Sequence, residues 1–294
     1  MRRRIAFLGP RGTFTEEAAR AIFPDEDKNE WVPRKNIADC LETTYRKETD
    51  FGVVPIENSI EGSVNLTLDW LIHEVNLPIL AEMVLPITQH LLVAKREIPI
   101  TLNHVEKVYS HPHAVAQCHH FLRECLPHVE VEYTNSTAEA AQFVANSPEK
   151  PWAAIGTSLA EEIYPLKILH HQIQDHTNNY TRFILVGEEN AFIGHSEKQK
   201  TSILVTLPSD FPGALYQVLA AFAWRKINLS RIESRPTKKG LGSYHFLIDI
   251  EQGMDDVLLP GAFAEIEAIG CEVRYLGTYP CFMVKESIVK NKIS

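Results

Sequence analysis

The feature that most constrains this chain is a change of grammar near residue 190. Before it, short apolar runs alternate with segments of helical periodicity. "RIAFLG" (4–9) reads as a buried strand, "TFTEEAARAIF" (13–23) as a helix and "FGVVPI" (51–56) as a strand. "VNLTLDWLIHEV" (64–75) reads as a helix with Leu66, Trp70 and Leu71 near helical spacing. "LPILAEMVLPITQHLLVA" (77–94) is β-rich and broken by Pro86. The alternation continues through "VEKVYS", "AVAQCHHFLREC", "VEVEYT", "AEAAQFVAN", "WAAIGT", "LAEEIYPL" and "NYTRFILVG". Such a pattern predicts an α/β domain of mostly parallel strands.

"EENAFIGHSEKQK" then breaks the periodicity, which places a linker over residues 189–199. Beyond it come a strand "TSILVTLP" and a helix "PGALYQVLAAFAWRK", with Pro212 near the helix's first turn. Two strands, "INLSRIESRP" and "GSYHFLIDIEQ", follow around the turn "TKKGLG". A helix "PGAFAEIEAIG" and a strand "CEVRYLGTYP" close the pattern. The order βαββαβ is the split, ferredoxin-like unit. A chain of 294 residues accommodates both domains.

The formal charge of −9 argues against a nucleic-acid surface and an anionic membrane surface. Five scattered cysteines with no CxxC fit reduced thiols in a cytosol. The apolar run after "MRRR" is about five residues, short of a signal h-region. No stretch approaches the ~18 apolar residues of a membrane helix. The expected location is the cytoplasm. The histidines lack zinc spacing and no H-E-x-x-H occurs, so no metal is expected. No G-x-S-x-G elbow, Walker A motif or G-x-G-x-x-G is present, which argues against a serine hydrolase and a nucleotide site.

Hydroxyl residues recur between strands and helices in the first domain. Thr13 precedes Glu16 at capping-box spacing, Ser63 stands before the helix of 64–75, and Ser110 precedes a helix with Pro112 in its first turn. Ser136 pairs with Glu139, and "GTSLAEE" offers Thr157 and the pair Ser158 and Glu161. Each is explained by capping alone. Together, at the carboxyl ends of parallel strands, such loops suit an anionic ligand.

These segments carry a family resemblance. "GPRGTFTEEAA", "VVPIENSIEGSVNLTLDWL", "SHPHAVAQC", "NSTAEAA", "AAIGTSLAEEIY" and "NYTRFILVG" resemble prephenate dehydratase, in the family's order, over roughly 4–187. "PGAL" (212–215), "INL" (227–229) and "ESRP" (233–236) resemble the phenylalanine-binding motifs of its ACT regulatory domain. With no chorismate mutase segment before residue 4, the monofunctional form is expected.

The resemblance implies a two-lobed fold like type II periplasmic binding proteins. One lobe would span about 1–80 and 175–188, the other about 81–174, with the ACT domain over 200–294. It implies conversion of prephenate to phenylpyruvate in phenylalanine biosynthesis without a cofactor, in a homodimer or homotetramer regulated by L-phenylalanine. The implied catalytic residues are Thr181 facing the ring hydroxyl, Phe183 as an apolar wall, and Glu57 as the acid if it is buried. Thr13, Asn58, Ser59, Ser63, Ser110, Thr157 and Arg182 are the implied substrate-binding residues. Arg182 falls on the opposite strand face from Thr181, so a structural ion pair is its other reading. Gly213, Ala214, Leu215, Asn228, Leu229, Glu233, Ser234, Arg235 and Pro236 are the implied phenylalanine site. Arogenate dehydratase and a non-enzymatic amino-acid sensor stay open as alternatives.

Overall fold

A computed structural model describes residues 2–188, 195–209, 211–238, 243–255 and 257–284. Residues 189–194 of the expected linker and 239–242 of the expected turn lie outside these.

Along the first part of the chain run β1 (Arg3–Leu8), α1 (Phe14–Ile22), β2 (Asn29–Arg34), α2 (Ile37–Tyr45), β3 (Phe51–Asn58), β4 (Gly62–Ser63), α3 (Asn65–His73) and β5 (Ile79–Pro86). Next come β6 (His90–Ala94), β7 (Lys107–Ser110), α4 (Pro112–Ala116), α5 (His119–Cys125), β8 (Glu130–Tyr133) and α6 (Thr137–Ala145). Then follow β9 (Trp152–Gly156), α7 (Leu159–Ile163), β10 (Leu166–His170) and β11 (Tyr180–Gly187). The last part holds β12 (Gln199–Thr206), α8 (Ala214–Ala223), β13 (Leu229–Pro236), β14 (Tyr244–Ile250), α9 (Leu258–Ala268) and β15 (Glu272–Met283).

Contacts divide the chain into two compact units. One holds Met1–Val64 and Val84–Phe183; the other holds Asn65–Met83 and Ile184–Met283.

The first unit contains two sheets. In one, β1 lies parallel between β2 and β3, β11 follows beyond β3, and β4 folds back antiparallel on β3. Ile5, Phe7, Val53 and Ile56 are buried there, under α1 and α2. The other sheet has the order β10-β6-β9-β7-β8. It is parallel through β8, β7 and β9 but antiparallel at β6 and β10. Both faces are covered, which explains why β6 is apolar at every central position. Leu91 and Val93 pack toward Ala114, Cys118 and Leu122, while Leu92 packs toward Ala140, Ala141 and Val144.

The second unit realises the βαββαβ order as an antiparallel sheet, β13-β14-β12-β15. One face packs on α8 and α9 through Ile203, Val205, Val218, Phe222, Ile248 and Ile266. The segment carrying α3 and β5 belongs to this unit. Gly277 of β15 lets the backbone approach Ile79, since a Cβ there would lie 2.3 Å from the Ile79 carbonyl oxygen. On α3 the buried stripe is Leu68, Leu71 and Ile72, with Leu66 exposed, so the expected Leu66–Trp70–Leu71 stripe is rotated. The helix begins at Asn65, which leaves Ser63 in β4 opposite Glu57 and not at the N-cap.

Candidate active site

Strand β3 ends in Glu57 and Asn58, and β11 enters beside it with Tyr180, Thr181 and Arg182. Asn58 is the hub. Its Oδ1 accepts from the N–H groups of Ile60 and Glu61 at 2.9 and 3.0 Å. Two donors on that atom fix which end of the amide is oxygen, so Nδ2 must face β11. There it donates to Thr181 Oγ1 at 2.9 Å and to Asn179 Oδ1 at 2.8 Å. Thr181 and Asn179 are both buried. A hydroxyl that accepts from an amide keeps its own proton to donate, and the accepted bond strengthens that donation.

Arg182 points the other way along the strand, as alternation requires. Its Nη1 donates to Glu57 Oε2 at 2.6 Å. Glu57 is therefore not the buried, isolated carboxyl that an acid role needs. Its side chain is 34% exposed and paired with a guanidinium. Phe183 shares the Thr181 face and is among the most completely buried aromatic side chains.

Ser59 brackets the two strands. Its N–H donates to Tyr180 O, and its hydroxyl donates to Asn178 O while accepting from the Tyr180 N–H. Glu61, in the same loop, pairs with His113 at the start of α4.

The other expected hydroxyls do scaffold work. Thr13 Oγ1 caps α1 by accepting from Glu16 N–H and donates to Leu8 O. Ser110, fully buried, donates to Ile155 O. Thr157 accepts from Ala160 N–H and donates to Gly12 O at 2.8 Å. Thr157, not Ser158, thus supplies the α7 cap; Ser158 makes no side-chain cap bond. Ser136 caps α6 as expected.

The loop after β1 meets α7 closely. Gly12 has φ +87°, and a Cβ there would lie 3.2 Å from the Tyr164 ring and 3.5 Å from Ala160 Cα. The Tyr164 hydroxyl donates to Arg11 O at 2.9 Å. The buried Glu16 carboxylate holds this loop by accepting from Gly12 N–H, Arg11 and Arg20. Gly12, Tyr164 and Asn179 were not singled out from the sequence. Asn179 sits two residues before Thr181, so same-face spacing was its available signal.

In the second unit Gly213 is the α8 N-cap at φ +90°, with no atom within 4 Å of an added Cβ. Its positive φ is a backbone conformation that side-chain-bearing residues rarely adopt, which explains a glycine at this cap. Ala214 is buried, and Leu215 and Leu229 pack on the α8–α9 core. Asn228 donates to Glu251. Along β13, Glu233 and Arg235 alternate with the exposed Ser234 and Pro236. Arg235 donates to Asp69 Oδ1 at 2.7 Å and to Asn65 Oδ1 at 2.9 Å, both on α3.

Among the described residues no group of three or more His, Cys, Asp or Glu is arranged to hold a metal ion. No described helix is long and apolar enough to cross a membrane.

The two-sheet α/β region is of the type II periplasmic-binding-protein kind, and the βαββαβ unit after it is that of an ACT domain. The family model for prephenate dehydratase matches residues 5–191, and that for the ACT domain matches 201–259. The chain belongs to the prephenate dehydratase family. It is 48% identical to the prephenate dehydratase of Bacillus subtilis (strain 168) over 288 residues, 96% of this chain and all of that one. The crystal structure of prephenate dehydratase from Arthrobacter aurescens in complex with L-Phe is 37% identical, with TM-score 0.83, covering 94% of this chain and 89% of that one. GqqA, described as a novel type of quorum quenching acylase, is 26% identical with TM-score 0.83, over 95% and 98% of the two chains.

Proposed function

We propose that Asn58 and Thr181 form the centre at which this carbon–oxygen lyase converts prephenate to phenylpyruvate. The observation that carries this is the Asn58 Nδ2 to Thr181 Oγ1 hydrogen bond, with the amide's orientation fixed from behind by two backbone donors.

Prephenate loses its ring carboxylate as carbon dioxide and its ring hydroxyl as water. The electron pair of the breaking C–C bond enters the ring as the C–O pair departs with oxygen, and the ring becomes aromatic. Hydroxide is a poor leaving group, so the departing oxygen needs a hydrogen bond and then a proton. Thr181 Oγ–H, polarised by Asn58, supplies the hydrogen bond. A threonine hydroxyl is too weak an acid to lose its proton outright, so its part is to orient and hydrogen-bond the departing oxygen, and the proton that completes the water molecule comes from solvent as that oxygen leaves. Phe183 gives an apolar wall for the carboxylate that leaves, since firm ionic binding there would stabilise the ground state equally. Arg182, paired with Glu57 on the opposite strand face, ties β11 to the end of β3 and so positions Thr181. Glu57 acts through Arg182 and is a positioning residue. Thr13, Ser59, Ser63, Ser110 and Thr157 shape the loops around the substrate.

In functional terms residues 1–188 are catalytic, with lobes of about 1–80 plus 175–188 and about 81–174. Residues 189–199 link them to a regulatory domain over 200–294. This differs from the packing division because α3 and β5 are built into the second unit. L-phenylalanine is the effector, read by Gly213–Leu215, Asn228–Leu229 and Glu233–Pro236 in a homodimer or homotetramer. The ACT family match and the L-Phe complex of the Arthrobacter relative support this reading.

The test is to incubate the pure protein with prephenate and follow phenylpyruvate in alkali. Arogenate is run in parallel, and a higher kcat/KM for arogenate would reassign the substrate. Binding of either compound without turnover would make the protein a sensor.

A further inference from the structure

The ESRP segment holds a helix outside the ACT match. Arg235 reaches α3 with two nitrogens on Asp69 Oδ1, at 3.1 and 2.7 Å, and a third on Asn65 Oδ1 at 2.9 Å. A planar guanidinium engaged this way fixes direction as well as distance. The opposite end of α3 is held too. Arg274 of β15 donates to the carbonyls of Leu71 and Ile72, which lie in the helix's last turn and lack partners within it. Lys200 of β12 pairs with the buried Glu82 of β5 in the same segment. Arginines from two strands of the regulatory sheet thus grip both ends of α3.

What α3 continues is the catalytic loop. Its first residue, Asn65, follows Val64, whose N–H donates to Ile56 O. Just before it, β4 pairs Ser63 with Glu57 and Gly62 with Asn58. The chain therefore runs from Asn58 through a short hairpin straight into the gripped helix, without a long loop to absorb a shift.

We propose that the Arg235–Asp69 pair is the coupling element by which effector binding at the ESRP strand changes turnover, through α3 and its connection to Asn58. This rests on the reading of residues 213–236 as a phenylalanine site. An effector that draws on Arg235 competes with Asp69 for the same donors, so it has differential contacts with the two states of the helix. Asp69 is not among the residues assigned to substrate or effector, so it separates coupling from binding.

The experiment uses the full chain and measures phenylalanine binding by calorimetry and prephenate turnover with and without saturating phenylalanine. Asp69→Asn, nearly the same shape, removes the charge; Asp69→Glu keeps it. The expected result is that Asp69→Asn binds phenylalanine at least as tightly as wild type, because the competing carboxylate is gone, while the effect on turnover shrinks about 5-fold or more. Asp69→Glu restores part of it. A full wild-type response in Asp69→Asn overturns the proposal, as does loss of phenylalanine binding in that variant, which would make Asp69 part of the site. If wild type itself neither binds nor responds to phenylalanine, the effector reading fails and the coupling falls with it.

Discussion

Asn58 and Thr181 stand 123 positions apart, and a 2.9 Å hydrogen bond from the asparagine amide to the threonine hydroxyl joins them. The bond is directional. The amide oxygen is occupied by two backbone N–H groups, so only the NH2 end reaches the threonine, which accepts this bond and keeps its own proton as a donor.

Asn58→Asp tests that direction. The aspartate still accepts from Ile60 and Glu61 N–H but can no longer donate to Thr181 or Asn179. We expect kcat to fall by about 10², as for a misplaced catalytic group, with KM changed much less. Thermal unfolding should move little. A parallel loss of folding would mean that Asn58 acts on the loop and not on the hydroxyl.

Gly12→Ala tests the seam between the loop after β1 and α7. Alanine would be forced to φ +87° and would press on the Tyr164 ring at 3.2 Å. We expect a loss of about 1–3 kcal/mol in chemical denaturation. Gly62→Ala also has positive φ but meets open space, so it should cost less.

Stability should carry two opposed pH limbs. Burial, and then the Glu162 carboxylate, push the Glu17 carboxyl up to about 7 from 4.5. Between those values the folded chain keeps a proton that the unfolded chain has lost, so this contribution falls as pH rises and stays lost above about 7. Glu17→Gln should flatten that limb and raise stability at alkaline pH by on the order of 1–3 kcal/mol. His90 works the other way. Burial, and then His171, hold its imidazole down to about 4, so its contribution rises with pH from about 4 to 6.5. Denaturation midpoints across this range for wild type and Glu17→Gln separate the two.

Periodicity made the larger plan legible. The α/β alternation, the βαββαβ unit, and the α1 and α6 caps at Thr13 and Ser136 all follow from local chemistry that acts within a few residues. The bonds that build the site do not. Asn58 to Thr181, Glu57 to Arg182 and Gly12 to Tyr164 each join distant segments, and nothing in the spacing of either partner shows the other. The same limit explains Ser63: a hydroxyl ahead of a helical pattern signals a cap, but β4 pairing with Glu57 claims that residue first. It also explains α3, whose packing within the second unit depends on Arg235 and Arg274, far along the chain.

The central claim is that Thr181 donates the hydrogen bond that lets the ring hydroxyl leave. Phenylpyruvate formation from prephenate by Thr181→Ala, with Thr181→Ser beside it, tests this most directly. The account predicts a kcat about 10²–10⁴ lower for alanine, substantial recovery for serine, and similar KM for both. Near-normal turnover by a folded Thr181→Ala protein would contradict it.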